Sequence, residues 1–390
     1  MNKEQFLTAL RARLTGLPRE DLERTLQYYR EMIDDRIEEG MSEQAAVADV
    51  GDPDELAAAI LQRPVRRTQI QAAKASAPMS AGKRAALIVC AVLLIIAGIS
   101  LILGATNLGK GRDGSVKEYT FANAGIRALE LDTGAAAVDL RPAKDGICRV
   151  QCVESATLKY KVWLNEGTLH IEREPASRWF FFRVSLKEDY VRVWLPEREY
   201  ESLWVKTSSG GVSVPEDFCF RTAIISASSG GVGFAADVTD ELNIQTSSGG
   251  VAVAGASPKE LFIHASSGGV ALSDMQPGNV TLSLSSGGLR LSDVHCSGDL
   301  SAEDSSGSIR FSDVIADGTM TLECTSGSIK LEDCDAAELR IQCVSGSVSG
   351  HLLTPKTYIA RSVSGSVRVP PDSGGGICNV NTTSGSIRFD

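Results

Sequence analysis

Apolar and polar positions alternate along the C-terminal half of this chain in a pattern that restarts every 19 or 20 residues. Counted from one glycine in each copy, apolar or small residues recur at offsets −7, −5, −3, +2 and +4. Alternation by two on both sides of the glycine predicts two strands, each with one buried face, joined by a turn. Because repeats this short bury no face alone, they must stack on their neighbours.

Each copy carries the phrase Ser-Gly, then Gly or Ser, then an apolar residue. Glycine there predicts a tight turn with a positive φ, and Asp at offset +6 in four copies marks a second bend. The repeat-turn glycines are Gly210, Gly230, Gly249, Gly268, Gly287, Gly307, Gly327, Gly346, Gly365 and Gly385. Residues 208–390 are thus predicted to form a regular β-solenoid (β-helix) of about ten coils with parallel stacking, roughly 4.8 Å per coil. A divalent cation held by the Asp column is the alternative to turn stabilisation.

Residues 115–207 keep strand patterning but lose the period. We expect an irregular β cap and first coil here, with hairpins that cover the N-terminal end of the solenoid, because an open coil exposes unpaired backbone groups. One run of four large apolar residues is unusual. It is interpreted either as cap core or as an exposed apolar tip that touches lipid or another protein: Trp179, Phe180, Phe181 and Phe182.

The stretch from Ala85 to Gly109 contains no charged residue. About 20 apolar positions suffice for roughly 30 Å of hydrocarbon, so we predict one transmembrane helix over residues 85–106, with a buried core helix as the alternative. Residues 63–84 form a basic linker with six Lys or Arg and no acidic residue. This bias predicts a single-pass protein of the cell membrane with a cytoplasmic N-terminus and an extracytoplasmic C-terminus.

The first 62 residues predict a small all-α domain of four short helices, the first lined by Phe6, Leu7, Leu10 and Leu14. A domain of this size buries only a modest core. One polar face is interpreted either as a solvated surface or as a docking surface for a basic partner. The candidate docking residues are Tyr28, Tyr29, Glu31, Asp34, Asp35 and Glu38. The fold class is therefore mixed: an all-α domain, one transmembrane helix and an all-β solenoid.

Charge and chemistry exclude several classes of function. The net charge of −10 argues against nucleic acid as a direct partner. The four histidines fall at unrelated offsets, so we expect no metal site, no cofactor and no catalytic constellation, and hence no enzyme. Cys324 and Cys343 share offset −3 in consecutive coils, where a disulfide is possible, although small buried residues also suit that position.

The chain stops five residues after Gly385. This predicts an uncovered tenth coil at the C-terminal end. A row of unpaired backbone groups invites pairing with another chain, so we expect self-association or an envelope partner there.

Residues 1–62 resemble the HAAS signalling domain of bacterial membrane proteins, through the phrases MNKEQFLTALRARLTGLP and YYREMIDDRIEEGMSEQAAVADVGDPDELAAAIL. That resemblance implies a PadR-type transcriptional regulator as partner. Residues from about 119 to 390 resemble the adhesin-type family of Ser-Gly repeat solenoids, which includes envelope-stress proteins. Together they imply a membrane signalling or regulatory protein, with a surface adhesin or structural scaffold as the alternative.

Overall fold

A computed structural model describes residues 3–14, 42–44, 47, 53, 115–122, 125–154, 158–174, 189–371 and 374–390. The chain divides into two compact units, Met1–Ala77 and Pro78–Asp390. The predicted basic linker (63–84) and transmembrane helix (85–106) lie outside the described residues. Within the described part, no helix combines the length and the apolar character needed to cross a bilayer.

The N-terminal unit contains helix α1, Lys3–Arg13. Phe6, Leu7, Leu10 and Leu14 are buried, which confirms the predicted apolar face of the first helix. The backbone N–H of Lys3 donates to Oε1 of Glu43 at 3.0 Å, so the start of α1 is held by a residue forty positions later. The other three predicted helices fall mostly outside the described residues.

The described residues of the second unit form 23 strands of one sheet. The first eleven are β1 Ser115–Phe121, β2 Ala128–Gly134, β3 Ala137–Pro142, β4 Cys148–Glu154, β5 Tyr160–Asn165, β6 Thr168–Arg173, β7 Tyr190–Leu195, β8 Glu199–Thr207, β9 Val212–Val214, β10 Cys219–Ala227 and β11 Val232–Phe234. The remainder are β12 Asp237–Thr246, β13 Val251–Ala254, β14 Glu260–Ser267, β15 Val270–Met275, β16 Asn279–Cys296, β17 Leu300–Ser326, β18 Ile329–Ser345, β19 Val348–Leu352, β20 Lys356–Ser364, β21 Val367–Arg368, β22 Gly376–Ser384 and β23 Ile387–Phe389.

Successive coils stack in parallel and in register, as the period predicts. We name each coil by its repeat glycine. Val251 of the Gly249 coil pairs with Val232 before it and Val270 after it, and Val270 pairs with Leu289. All four side chains are at most 2% exposed. Each adds roughly 1.5 to 3 kcal/mol of apolar burial to a core that runs the length of the stack.

The second bend of the coil depends on a left-handed residue. Asp274, Asp293, Asp313 and Asp333, all at offset +6, have φ between 54° and 56°. Asp tolerates this conformation better than most side chains because it bonds its local backbone. Gly255 takes the same position in the Gly249 coil, with φ 75°. The aspartates are therefore bend residues, as the sequence predicts.

At the N-terminal end, spatial order departs from chain order. β2 and β3 form a coil that pairs in parallel with β8 and β9, and β6 and β7 form a further coil on its other side. The antiparallel pairs β5–β6, β4–β7 and β1–β4 continue the sheet beyond these coils.

At the C-terminal end, the prediction of an uncovered tenth coil is wrong. Leu339 of the Gly346 coil pairs with Cys378 of the Gly385 coil, and Cys378 pairs on its other side with Tyr358 of the Gly365 coil. The last coil in sequence is thus inserted between the two preceding coils, and the Gly365 coil is outermost. Gly374 and Gly375, with φ of 73° and 119°, allow the chain to turn back into the gap.

Candidate binding surfaces

The repeat glycines form a column in which backbones approach closely. A Cβ added to any of the ten would lie within 2.5 Å of a carbonyl oxygen in the adjacent coil: Ala136 for Gly210, and the neighbouring repeat glycine for the other nine. Positive φ is found at only five: Gly268, Gly287, Gly327, Gly346 and Gly385. Close approach between coils therefore explains all ten glycines, whereas the predicted turn conformation explains half of them.

Side chains at offset −3 form hydrogen bonds with the backbone of the repeat glycines. In the Gly249 coil, Thr246 Oγ1 accepts the N–H of Gly249 at 3.1 Å and donates to its carbonyl at 3.4 Å. Cys324 and Cys343 occupy the same position, and their thiols point to glycine carbonyls at 3.7 and 3.5 Å. Both cysteines are free and buried, and burial raises the pKa of Cys324 to about 11. The structure therefore favours buried thiols over the disulfide alternative.

Asp304 places a carboxylate at this buried position. Its side chain is 1% exposed, and Oδ1 accepts the N–H of Ser306 at 3.1 Å. Oδ2 has no hydrogen-bond partner among the described residues. Burial raises the pKa of Asp304, because the charged form loses hydration that one hydrogen bond does not replace.

The Asp column forms the wall of a shallow groove with His295 and Ile315. Burial raises the pKa of Asp293, and the neighbouring carboxylates of Asp313 and Asp274 raise it further. In the part of the chain that the structure describes, no three His, Cys, Asp or Glu side chains are placed to hold a metal ion. The aspartates therefore form the bends of neighbouring coils, and their carboxylates repel one another. This arrangement does not support the alternative of a divalent cation held by the Asp column.

Three histidines each contact a single carboxylate. Sequence spacing does not reveal these contacts, because the partners come together only when coils stack. The pairs are His170–Glu130 at 3.1 Å, His295–Asp317 at 3.0 Å and His351–Asp333 at 2.9 Å.

The Gly365 coil leaves one end of the stack open. Among the described strands, β20 pairs only with β22 and β21 only with β23, so the opposite edge of this coil has no strand partner. Ile359 is 44% exposed, Val363 84% and Val367 43%. Tyr358, on the inward face, is only partly buried. This end therefore combines an unpaired sheet edge with exposed apolar side chains.

Two predicted surfaces lie outside the described residues. They are the docking face with Tyr28, Tyr29, Glu31, Asp34, Asp35 and Glu38, and the apolar tip Trp179, Phe180, Phe181 and Phe182.

Two family models match separate parts of the chain. The HAAS model matches residues 5–59, and the Toastrack DUF4097 model matches residues 126–314. The chain carries a HAAS domain and a Toastrack domain. The Toastrack match ends at a buried residue, Val314, inside β17, and the same coil stacking continues beyond it to Phe389.

Two solved structures match this chain at low sequence identity. A protein from Parabacteroides merdae, named as a putative adhesin, is 13% identical with a TM-score of 0.37, over 72% of this chain and 98% of that chain. Another of the same name, from Parabacteroides distasonis, is 9% identical with a TM-score of 0.32, over 71% of this chain and 98% of that chain. No curated protein matches the sequence.

Proposed function

We propose that this chain is a single-pass membrane regulatory protein. Its Toastrack solenoid binds an envelope partner outside the cell, and its HAAS domain docks a PadR-type transcriptional regulator inside. The HAAS match supports the inner role, and the uncharged stretch over residues 85–106 with its basic flank supports the topology. The outer role depends on one observation, the open edge of the Gly365 coil.

The charge of the Gly365 coil indicates which kind of partner would bind at its open edge. Residues 353–371 contain no acidic residue, and Arg361 and Arg368 are both exposed. A second copy docked end to end would bring the same arginines together, which is unfavourable. An extended acidic segment of another protein would instead add a strand to the edge of β20, with backbone hydrogen bonds for affinity and Val363 for apolar contact.

Two substitutions at the same repeat offset test the outer site. Val363→Asp changes the outermost coil, whereas Val344→Asp changes an inner coil at the same offset, where the side chain is 52% exposed compared with 84% for Val363. In cells, we expect Val363→Asp to lose a co-purified acidic envelope protein, because it removes the apolar contact and adds a like charge, and Val344→Asp to retain it. Equal retention by both variants would exclude this site. If Val363→Asp instead abolishes a dimer seen by sedimentation, the occupant is a second copy.

The inner role is tested on the full chain with Asp34→Lys/Asp35→Lys. We expect this variant to lose a co-expressed PadR-type regulator and to change the output of a reporter gene under that regulator. Loss of surface attachment in Val363→Asp, with unchanged gene expression in Val363→Asp and in Asp34→Lys/Asp35→Lys, would instead support the adhesin alternative.

Topology is tested by impermeant thiol labelling of intact cells. Because Cys219 is free and partly exposed, the labelling uses a Cys219→Ser background, in which we expect a cysteine introduced at Glu303 to be labelled and one introduced at Glu20 to be protected. The reverse result would overturn the proposed orientation.

A further inference from the structure

One column on the solenoid surface holds five cations and one serine in six neighbouring coils. At offset +3, Arg290 pairs with Arg310 and Arg310 with Lys330. Lys330 pairs with Ser349, Ser349 with Arg388, and Arg388 with Arg368. Five of the ten Lys and Arg residues in residues 208–390 thus lie in one line. With neighbouring strands about 4.8 Å apart, six rungs extend over about 24 Å.

The exchange of the last two coils sets only the order of the final two cations. In chain order, Arg368 would lie next to Ser349 and Arg388 would close the series. In the observed order, Arg388 lies next to Ser349 and Arg368 closes the series at the open end.

These side chains face solvent and are poorly neutralised. Each cation lies between two inward-facing positions on its strand, and all five are exposed. Lys330 contacts Glu332 at 2.6 Å. Arg290, Arg310, Arg368 and Arg388 form no ion pair with a carboxylate of any described residue. Like charges on adjacent strands repel, so a bound polyanion would relieve an unfavourable arrangement.

A second column supplies neutral hydrogen-bond donors beside the cations. Offset +1 lies on the same face two residues away, and it holds Ser308, Ser328, Ser347, Ser366 and Ser386. Ser366 and Ser386 lie within hydrogen-bond distance of each other, with the Oγ atoms 3.1 Å apart. Arginine forks and hydroxyls arranged in this way suit phosphate oxygens, which accept several hydrogen bonds at once.

The geometry points to a binding site for a linear phosphate polymer, laid along the solenoid axis over the Arg290–Arg368 column. The line of single charges matches an extended chain with regularly spaced anions. Single-stranded nucleic acid is a poorer match, because such sites stack bases on aromatic rings and no Phe, Tyr or Trp lies at offset +1, +3 or +5 in these six coils. This site does not depend on the proposed function, since it requires neither the acidic partner nor the regulator.

The test measures binding of long-chain inorganic polyphosphate to the full-length protein at several salt concentrations. Five neutralised cations predict a slope of log K against log salt of about −3.5, by analogy with single-stranded polyanions. Arg290→Gln/Arg310→Gln should weaken binding by about a hundredfold, tenfold for each charge-assisted contact, and reduce the slope to about −2.

A matched control variant removes the same number of positive charges at positions outside the column. Arg221→Gln/Arg340→Gln removes two exposed arginines that lie at other offsets, and it should bind polyphosphate within twofold of the unsubstituted protein. Equal weakening by both double variants would show that only net charge matters and would overturn the site. So would tighter binding of an oligodeoxythymidine of equal charge, or an unchanged affinity in Arg290→Gln/Arg310→Gln. Thermal midpoints measured in parallel verify that every variant is folded.

Discussion

Adjacent glycines of one turn provide the sharpest test of the close-approach argument. In Gly287→Ala, the new Cβ would lie within 2.5 Å of the Gly268 carbonyl oxygen, and the backbone φ of 146° is unfavourable for a side chain. Overpacking costs about 1 to 3 kcal/mol and a strained φ about 1 to 3 kcal/mol more. We therefore expect a loss of about 4 kcal/mol, or about 10 °C in thermal midpoint for a domain of this size.

Gly288→Ala is the matched control in the same turn. Its nearest non-neighbouring atom would be the Ser308 carbonyl oxygen at 4.0 Å, and φ is not positive. Alanine there should be neutral or stabilising by about 0.4 to 1 kcal/mol, because it restricts the unfolded chain. Urea unfolding followed by circular dichroism measures both variants. A loss of less than about 1 kcal/mol in Gly287→Ala, or equal losses in the two variants, would show that close approach between coils does not constrain Gly287.

Three further predictions concern the burial of polar side chains and thiols. Asp304→Thr should stabilise the protein by about 1 to 3 kcal/mol at pH 7. Because burial raises the pKa of Asp304, the carboxyl destabilises the fold as pH rises through its folded pKa. Urea unfolding midpoints should therefore show that the substitution stabilises the protein less at pH 4 than at pH 7. Cys219, the one described cysteine that is not buried, should react first with a thiol reagent, and simultaneous reaction of all eight described thiols in the folded protein would contradict the burial pattern. Lys356 lies 2.6 Å from Asp335 with only 4% of its side chain exposed, so Lys356→Ala should cost about 3 kcal/mol and increase hydrogen exchange in β20, whereas unchanged exchange there would refute its anchoring role.

The coil geometry could be predicted from sequence because its signals are local. Leu242 and Ile244 alternate with polar residues on one strand, and both are fully buried. The Asp bends were also recognisable, since the same residue recurs at the same offset and adopts the same φ in four coils. Each of these inferences needs only the spacing within one repeat.

The order of the coils could not be predicted from that period. Cys378 and Tyr358 fill the same offset in equivalent repeats, so either could follow Leu339 with the same inward pattern. Only the path of the connections distinguishes the two orders. The period alone aligns the basic column at offset +3, but it does not show that Arg388, and not Arg368, lies next to Ser349.

Why glycine is required at the repeat positions could also be predicted only in part from the sequence. A turn that needs positive φ is a local inference, and it holds for Gly287 but not for Gly307. The contact that explains both is with the carbonyl of another coil, about twenty residues away. Sequence spacing identifies such a glycine without showing what it touches.

The inserted Gly385 coil is tested most directly by disulfide trapping with outward-facing cysteine pairs. Asn379 pairs with Arg340 on one side and with Ile359 on the other. Arg340→Cys/Asn379→Cys therefore places the two cysteines on adjacent strands, whose backbones are about 4.8 Å apart and within disulfide range. Arg340→Cys/Ile359→Cys places the two cysteines on strands that are separated by one intervening strand. After mild oxidation and peptide mapping, we expect a crosslink in the first pair and none in the second. A crosslink in the second pair, with none in the first, would show that the coils stack in chain order and that the Gly385 coil is not inserted.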